Sequence, residues 1–141
     1  MKTPFLQDDA FLADVEAHRG KPGLRLWWLG QSGFLLHFEG AFALLDPYLS
    51  DSLTRKYAGT DKPHVRLTAR VVDPARLTRI SLVTSSHNHT DHLDAATLNP
   101  LRAANPGLNI IVPEANRAFA AERLGVDPGT LTGMTDGQRV E

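Results

Sequence analysis

Three histidines and one aspartate lie within six consecutive positions, as His87, His89, Asp91 and His92 in a His-x-His-x-Asp-His arrangement. Imidazole and carboxylate groups are ligands that suit zinc and its neighbours in the transition series. Residues two apart in an extended segment point to the same side, so His87 and His89 could bind one ion. Asp91 and His92 could reach a second ion or the far side of the first. The alternative is a polar loop before a helix, but three of the chain's six histidines lie here, which favours a metal site.

The residues around this cluster predict that it connects a strand to a helix. Residues 80–84 are apolar and rich in β-branched side chains, which is typical of a buried strand. Thr90 or Asp91 could cap a helix that continues through residues 94–98. Loops at the carboxyl ends of strands commonly carry the chemistry of α/β proteins. We therefore expect the cluster at such a position.

The elements before the cluster are predicted to be one helix followed by strands. Asp8 or Asp9 could cap a helix that packs through Phe11, Leu12 and Val15 and ends at Gly20. Residues 24–29, 33–38 and 41–45 read as strands, with a tight turn at residues 39–40. Trp27 and Trp28 are neighbours on the first of these strands, so they must face opposite sides of the sheet.

The elements after the cluster alternate between helix and strand. Pro100 is expected to interrupt or restart the helix that follows the histidines. Residues 108–112 then read as a buried strand. A helix over 115–124 is expected to pack through Ala118, Phe119 and Ala121 and to close at Gly125.

The composition excludes several classes of protein and of site. The chain of 141 residues is long enough for one domain with a real core, and its 42% hydrophobic and 22% charged content are ordinary for a globular protein. The net charge of -1 gives no case for nucleic-acid binding. No apolar run approaches a transmembrane length, and we expect a cytoplasmic location. Because the chain has no cysteine, a metal must be held by nitrogen and oxygen.

The cluster, with its strand before and Leu93-Asp94 after it, resembles the metal-binding motif of the metallo-β-lactamase-fold hydrolases. Residues 26–35 resemble the first hairpin of that superfamily, and residues 44–50 resemble its next strand and its aspartate-containing turn. The branch that fits best includes ascorbate-6-phosphate lactonase-like proteins and the phospholipase D that cleaves N-acyl phosphatidylethanolamine. The similarity runs from about Leu24 to the last residue.

The resemblance implies an α/β fold, namely half of an αββα sandwich with a mixed β-sheet and flanking helices. The expected organisation is a single domain over residues 1–141, with a leading helix and turn at 1–22 and the motif-bearing part at 24–141. The implied function is metal-dependent hydrolysis of a lactone or phosphoester-type small molecule. The expected cofactor is Zn²⁺, as one or two ions, with Mn²⁺ as the alternative.

The resemblance also assigns roles by position. His87 and His89 would ligate the first metal, and Asp91 and His92 the second. Asp91 would in addition orient the attacking water as the catalytic residue. Asp46 would support the site without ligating, or else would be an ordinary turn residue ahead of Pro47.

The chain departs from the family in one respect. The family brings a further His, Asp and His from a second half of the fold, whereas His18, His37 and His64 all precede the motif. We therefore expect an amino-terminal half, inactive by itself, whose exposed apolar face leads to homo-oligomers. The alternative from another class is a non-catalytic metal-binding or partner-binding module that self-associates.

The segment 51–70 is the least regular part of the sequence. It carries several cationic residues against two aspartates, with Tyr57 among them. It could arch over the metal site and favour an anionic substrate, or it could be a solvated loop with ordinary surface charge.

Overall fold

The computed structural model describes residues 1–140, in which a mixed β-sheet is flanked by helices. The strands are β1 (Arg25–Trp28), β2 (Phe34–Phe38), β3 (Ala41–Leu45), β4 (Ile80–Thr84), β5 (Asn109–Pro113) and β6 (Thr132–Met134). The helices are α1 (Asp8–His18), α2 (Ser52–Lys56), α3 (Ala95–Ala104) and α4 (Arg117–Leu124). This arrangement confirms the predicted α/β class with a mixed sheet and flanking helices.

The strands lie in the sheet in the order of the chain, β1 to β6. The first three form antiparallel pairs, and β3 to β6 pair in parallel. Glu39 and Gly40 both have positive φ, at 49° and 85°, as a tight two-residue hairpin turn requires. Helix α3 connects β4 to β5, and α4 connects β5 to β6. Parallel pairing aligns Leu45 with Thr84, so Asp46 and Ser85 begin their loops at the same edge of the sheet.

One face of the sheet is covered by helices. Successive strand residues point to opposite faces, and Leu35, Leu44 and Val83 are fully buried on the covered face. They form one core with Phe11 of α1 and with residues of α3 and α4. The paired positions Trp27, Leu35 and Leu44 follow this face across three strands.

The opposite face of β1 and β2 is apolar and exposed. Trp28 pairs with Phe34, and Leu26 pairs with Leu36. Leu26, Trp28, Phe34 and Phe38 are 41–55% exposed. The two adjacent tryptophans therefore do face opposite sides, with Trp27 against α1 and Trp28 on the exposed face. We call the surface formed by Leu26, Trp28, Phe34 and Phe38 the open face.

The ends of two helices differ from the sequence predictions. Gln7 is the N-cap of α1, and Asp8 and Asp9 lie in its first turn instead. The helix after the histidines begins at Ala95 with Asp94 as N-cap, so Thr90 and Asp91 do not cap it. The reason is that Asp91 and Thr90 belong to a turn in which the amides of His92 and Leu93 donate to the His89 carbonyl.

Two predictions about helix interiors were also wrong. Pro100 lies inside α3, which continues through it to Ala104. A proline removes one helical hydrogen bond, and burial of Leu98 and Leu101 on both sides of it keeps the helix in the core. Helix α4 packs through Ala120, Ala121 and Leu124, whereas Ala118 and Phe119 are exposed. The expected closing residue Gly125 is confirmed, with φ 67°.

Candidate metal centre

Asp46 begins the loop after β3 and lies at the centre of a hydrogen-bond network. Its carboxylate accepts from Thr84 Oγ1 at 2.7 Å, from the Ser86 amide at 3.0 Å and from the Ser86 hydroxyl. His92 Nδ1 lies 2.7 Å from Asp46 Oδ2. The side chain is 16% exposed. Asp46 therefore joins the end of β3 to both ends of the histidine loop.

The environment of Asp46 favours its charged form. Burial would raise its pKa, but hydrogen bonds from Ser86, Thr84 and His92 outweigh burial, and the pKa of this carboxyl is lower than its ordinary value. An ionised carboxylate can only accept hydrogen bonds. In the contact between them, His92 Nδ1 must therefore carry the proton, and Nε2 on the other side of the ring can meet another partner.

Gly33 allows this loop to come close to the β1–β2 connection. Its φ is +84°, and a Cβ at this position would lie 2.5 Å from the Asp46 carbonyl oxygen. Glycine avoids both the strained conformation and this collision. Gly33 thus lets the β1–β2 connection lie directly against the Asp46 turn.

The three imidazole rings of the cluster lie together. The ring centroids of His87 and His92 are 4.0 Å apart, and those of His87 and His89 are 4.7 Å apart. Single potential ligand atoms of Asp46, His87 and His92 all lie within 4.8 Å of one another. Asp91 Oδ2 lies 3.5 Å from His92 Nε2. The fold thus gathers the four residues of the motif into one cluster together with Asp46.

The three residues whose potential ligand atoms lie within 4.8 Å of one another are not the same as the expected ligands. This group contains Asp46, His87 and His92, while His89 and Asp91 lie beside it. The donors are nitrogen and oxygen atoms, which fit zinc or manganese. His18, His37 and His64 lie on α1, on β2 and in the segment after α2, outside this group.

Several contacts that hold the loop were not found by sequence reasoning, although Asp94 itself was recognised as part of the motif. Ser32 Oγ donates to the Asp91 carbonyl at 2.9 Å. The buried Asp94 accepts from Thr97 Oγ1 at 2.6 Å and from Ser52 Oγ at 2.8 Å. The only local signal was an aspartate just before an apolar helical pattern, which is typical of a helix start. The contacts of Ser32 and Ser52 are distant in sequence and leave no local pattern.

A cleft of about 360 Å³ opens beside His89 and Asp91. Lys56 and Tyr57 line it from the end of α2, and Phe119 and Arg123 line it from α4. Lys56 Nζ lies 5.2 Å from the centroid of the Tyr57 ring. The cleft thus combines two cationic and two aromatic side chains next to the histidine loop.

The basic segment 51–70 has two different environments. Lys56 reaches the cleft, but Arg66 is 3% exposed and donates to the carbonyls of Ser50 and Thr68 at 2.6 Å and 3.1 Å. Arg66 also lies over the Tyr48 ring. The guanidinium of Arg66 is therefore bound inside the fold. Residues 54–63, which include Lys56, are exposed.

Comparison with known families agrees with this geometry. Residues 25–135 match the model of the family described as "Beta-lactamase superfamily domain". The chain belongs to this superfamily. The match covers the hairpin, the Asp46 turn and the histidine loop, and it confirms the resemblance found in the sequence.

Curated relatives include proteins named "Probable L-ascorbate-6-phosphate lactonase UlaG" from Escherichia coli and Shigella boydii. Each is 29% identical over 98 residues, which cover 57% of this chain and 28% of the relative. The chain therefore spans less than a third of the length of these relatives.

A solved structure has the same fold. It is the "Putative metal-dependent hydrolase" from Parabacteroides distasonis, with a TM-score of 0.50 and 16% identity over 82% of this chain and 39% of that one. This likeness agrees with the fold expected for the superfamily. Within residues 1–140, none of the helices combines the length and the apolar character needed to cross a membrane.

Proposed function

We propose that this chain carries the metal-binding half of a hydrolase that uses a metal-activated water on a lactone or phosphoester-type small molecule. The observation that carries the proposal is the convergence of Asp46, His87 and His92 at the carboxyl edge of the sheet. The superfamily match and the names of the relatives support hydrolysis. Zn²⁺ is the proposed metal, as one or two ions, and Mn²⁺ is the alternative because all donors are nitrogen or oxygen.

The proposed ligands are His87, His89, Asp91 and His92, with Asp46 as their support. A ligating histidine commonly donates its other ring N–H to a carboxylate, which fixes the tautomer and the orientation of the ring. The 2.7 Å contact between His92 Nδ1 and Asp46 supports this role, since it leaves His92 Nε2 directed towards Asp91. A divalent ion bound there would lower the pKa of a water molecule and stabilise negative charge developing on oxygen.

The proposed catalytic residue is Asp91. Its carboxylate is 37% exposed and borders the cleft, so it can accept a hydrogen bond from a water molecule and orient it towards a substrate. The bond from Ser32 to the Asp91 carbonyl holds the backbone at this position. A positioned carboxylate of this kind can both orient the water and receive its proton.

The cleft favours an anionic substrate. Lys56 is exposed at its mouth, and among residues 1–140 it takes part in no ion pair, so its charge is available to a ligand. A phosphate or carboxylate group of the substrate would bind near Lys56, with its apolar part against Tyr57 or Phe119. Comparing hydrolysis of matched neutral and anionic lactones by the full-length enzyme and by its Lys56→Gln variant tests this. Loss of the preference in the variant supports it, and unchanged preference contradicts it.

Zinc titration followed by NMR of the histidine side chains tests the metal site directly. We expect the ring resonances of His87, His89 and His92 to shift together, even though metal binding by this chain alone is expected to be weak. Those of His18, His37 and His64 serve as internal controls. Resonances of the cluster that stay unchanged while zinc is in large excess would refute the site. In the full-length enzyme, His87→Ala or His89→Ala should abolish metal uptake.

We also propose that activity needs a second part of the fold. A catalytic site normally requires ligands fixed from several directions, and here they come from one loop. The 141-residue chain should therefore show little turnover, whereas a reading frame that continues past Glu141 through another His, Asp and His should encode an active enzyme. A native stop codon after Glu141 would favour a non-catalytic module.

The expected cytoplasmic location stays a prediction that cell fractionation would test.

Self-association of the 141-residue chain through the open face is proposed alongside the enzymatic role. Three half-exposed aromatic side chains and Leu26 present roughly 400 Å² of apolar surface, about half of what each partner contributes to a standard interface. Two copies packed about a twofold axis would cover it. Sedimentation at micromolar concentration should show dimers that Trp28→Lys removes. A wild-type chain that stays monomeric would contradict the proposal without affecting the metal site.

A further inference from the structure

Arg123 of α4 contacts the histidine loop at two points. Its Nη1 donates to the Asn88 carbonyl at 2.6 Å and to the Leu93 carbonyl at 3.2 Å. Asn88 stands immediately before His89, and Leu93 stands immediately after His92. One guanidinium nitrogen therefore bridges the two ends of the segment 89–92, which carries three of the four motif residues.

The rest of the loop is held from other directions. Asp46 accepts from Ser86 and contacts His92 on the side of β3, and Ser32 donates to the Asp91 carbonyl on the side of the β1–β2 connection. Within residues 1–140, the hydrogen bonds that join α4 to this loop all come from Arg123. The segment forms only a turn closed by amides of His92 and Leu93 on the His89 carbonyl. Its shape on the α4 side thus depends on one side chain.

The geometry of Arg123 suits this task. Its guanidinium lies 4.5 Å from the centroid of the Phe119 ring, one helical turn earlier on the same helix. Stacking on an aromatic ring restricts the planar guanidinium, so little further freedom is lost when its N–H groups donate. Hydrogen bonds from a charged donor are stronger than those between neutral groups. Phe119 is therefore exposed because it supports Arg123, and not because it failed to pack in the core.

We propose that Arg123 is a positioning residue that holds segment 89–92 in the shape required for His89, Asp91 and His92 to bind metal. The effect on metal affinity rests on the proposed function. The effect on the shape of the segment does not, because the hydrogen bonds exist in the protein without metal. The two can therefore fail separately.

The experiment compares Arg123→Met and Arg123→Lys with Arg117→Met. Arg117 lies on the same helix and pairs with Glu114 at 3.0 Å, so its variant removes the same charge and leaves the loop untouched. Amide hydrogen exchange of His92 and Leu93 is measured first on the metal-free chain, with urea unfolding to correct for global stability. Zinc titration of the histidine resonances is measured second.

We expect Arg123→Met to speed exchange at His92 and Leu93 roughly tenfold relative to Arg117→Met. Zinc affinity should fall about 10- to 100-fold, as is typical when a residue that supports ligands is lost. Arg123→Lys should be intermediate, because a single ammonium group can reach one carbonyl at a time. If Arg123→Met does not fold, the exchange rates and zinc affinity of Arg123→Lys test the proposal instead.

Equal exchange rates in Arg123→Met and Arg117→Met would overturn the proposal. Faster exchange with unchanged zinc affinity would overturn its link to metal binding. If zinc shifts no cluster resonance even in the wild type, the proposed function fails, while the exchange rates still decide whether Arg123 shapes the segment.

Discussion

The two faces of the sheet are both apolar, but only one of them is covered. Leu35 and Leu44 on the covered face are fully buried beneath helices, whereas Leu26 and Trp28 on the open face are about half exposed. The same strands supply both faces through alternate residues. The difference shows that an apolar strand residue is able to pack in a core, but that it is buried only where a neighbouring element covers it.

The candidate metal centre lies at the edge of the sheet from which the loops after β3 and β4 leave. Asp46 directly follows β3, and Ser86 is the second residue after its parallel neighbour β4; the last residues of the two strands are paired. Because both strands are fixed by the covered face, the loops that leave them start from rigid positions. The open face contributes less to this rigidity, so changes there should affect the centre less than changes in the core.

Truncation of one leucine on each face should give the largest difference. Leu44→Ala leaves a cavity in the core and should lower the free energy of unfolding by about 2–5 kcal/mol. Leu26→Ala removes the same atoms from a side chain that is 55% exposed, and should cost about 0.5 kcal/mol. Urea unfolding at a concentration where the chain is monomeric measures both. Equal losses would mean that the open face is covered in solution.

Two glycines with the same backbone conformation provide the next comparison. Gly33 and Gly40 have φ of +84° and +85°, but a Cβ at Gly40 would meet nothing within 4 Å, whereas one at Gly33 would collide with the Asp46 backbone. Gly40→Ala should cost about 1–2 kcal/mol for its conformation alone. Gly33→Ala should cost roughly 1–3 kcal/mol more and should weaken zinc binding, because it displaces the Asp46 turn.

The control in this pair is Gly40→Ala, because Gly40 lies at the other end of β2, in the turn to β3. It should leave the histidine resonances unchanged in a zinc titration. If both variants lose the same stability and bind zinc equally, the hairpin does not support the metal centre.

The sequence predicted the strands and the metal motif because both leave local patterns. Short, largely apolar runs on either side of a tight turn marked β2 and β3, and the spacing of His87, His89 and His92 marked the candidate site. It left open whether Asp46 supports the site or only turns the chain, because the contact between Asp46 and His92 joins loops far apart in sequence. Arg123 was missed for a related reason. Phe119 was expected in the core, so the face of α4 that meets the histidine loop was misassigned.

The adjacent tryptophans provide the smallest and most local comparison. Trp27 Nε1 donates to Asp14 of α1 at 2.8 Å, whereas Trp28 is 51% exposed on the open face. In Trp27→Phe the remaining Trp28 should emit at longer wavelength and be readily quenched by acrylamide, while in Trp28→Phe the remaining Trp27 should be protected. Trp27→Phe should also cost about 1 kcal/mol, since a hydrogen bond is lost. If Trp28 becomes protected only as the protein concentration rises, self-association occurs on the open face. If both tryptophans are quenched equally at every concentration, the two faces do not differ as the structure describes.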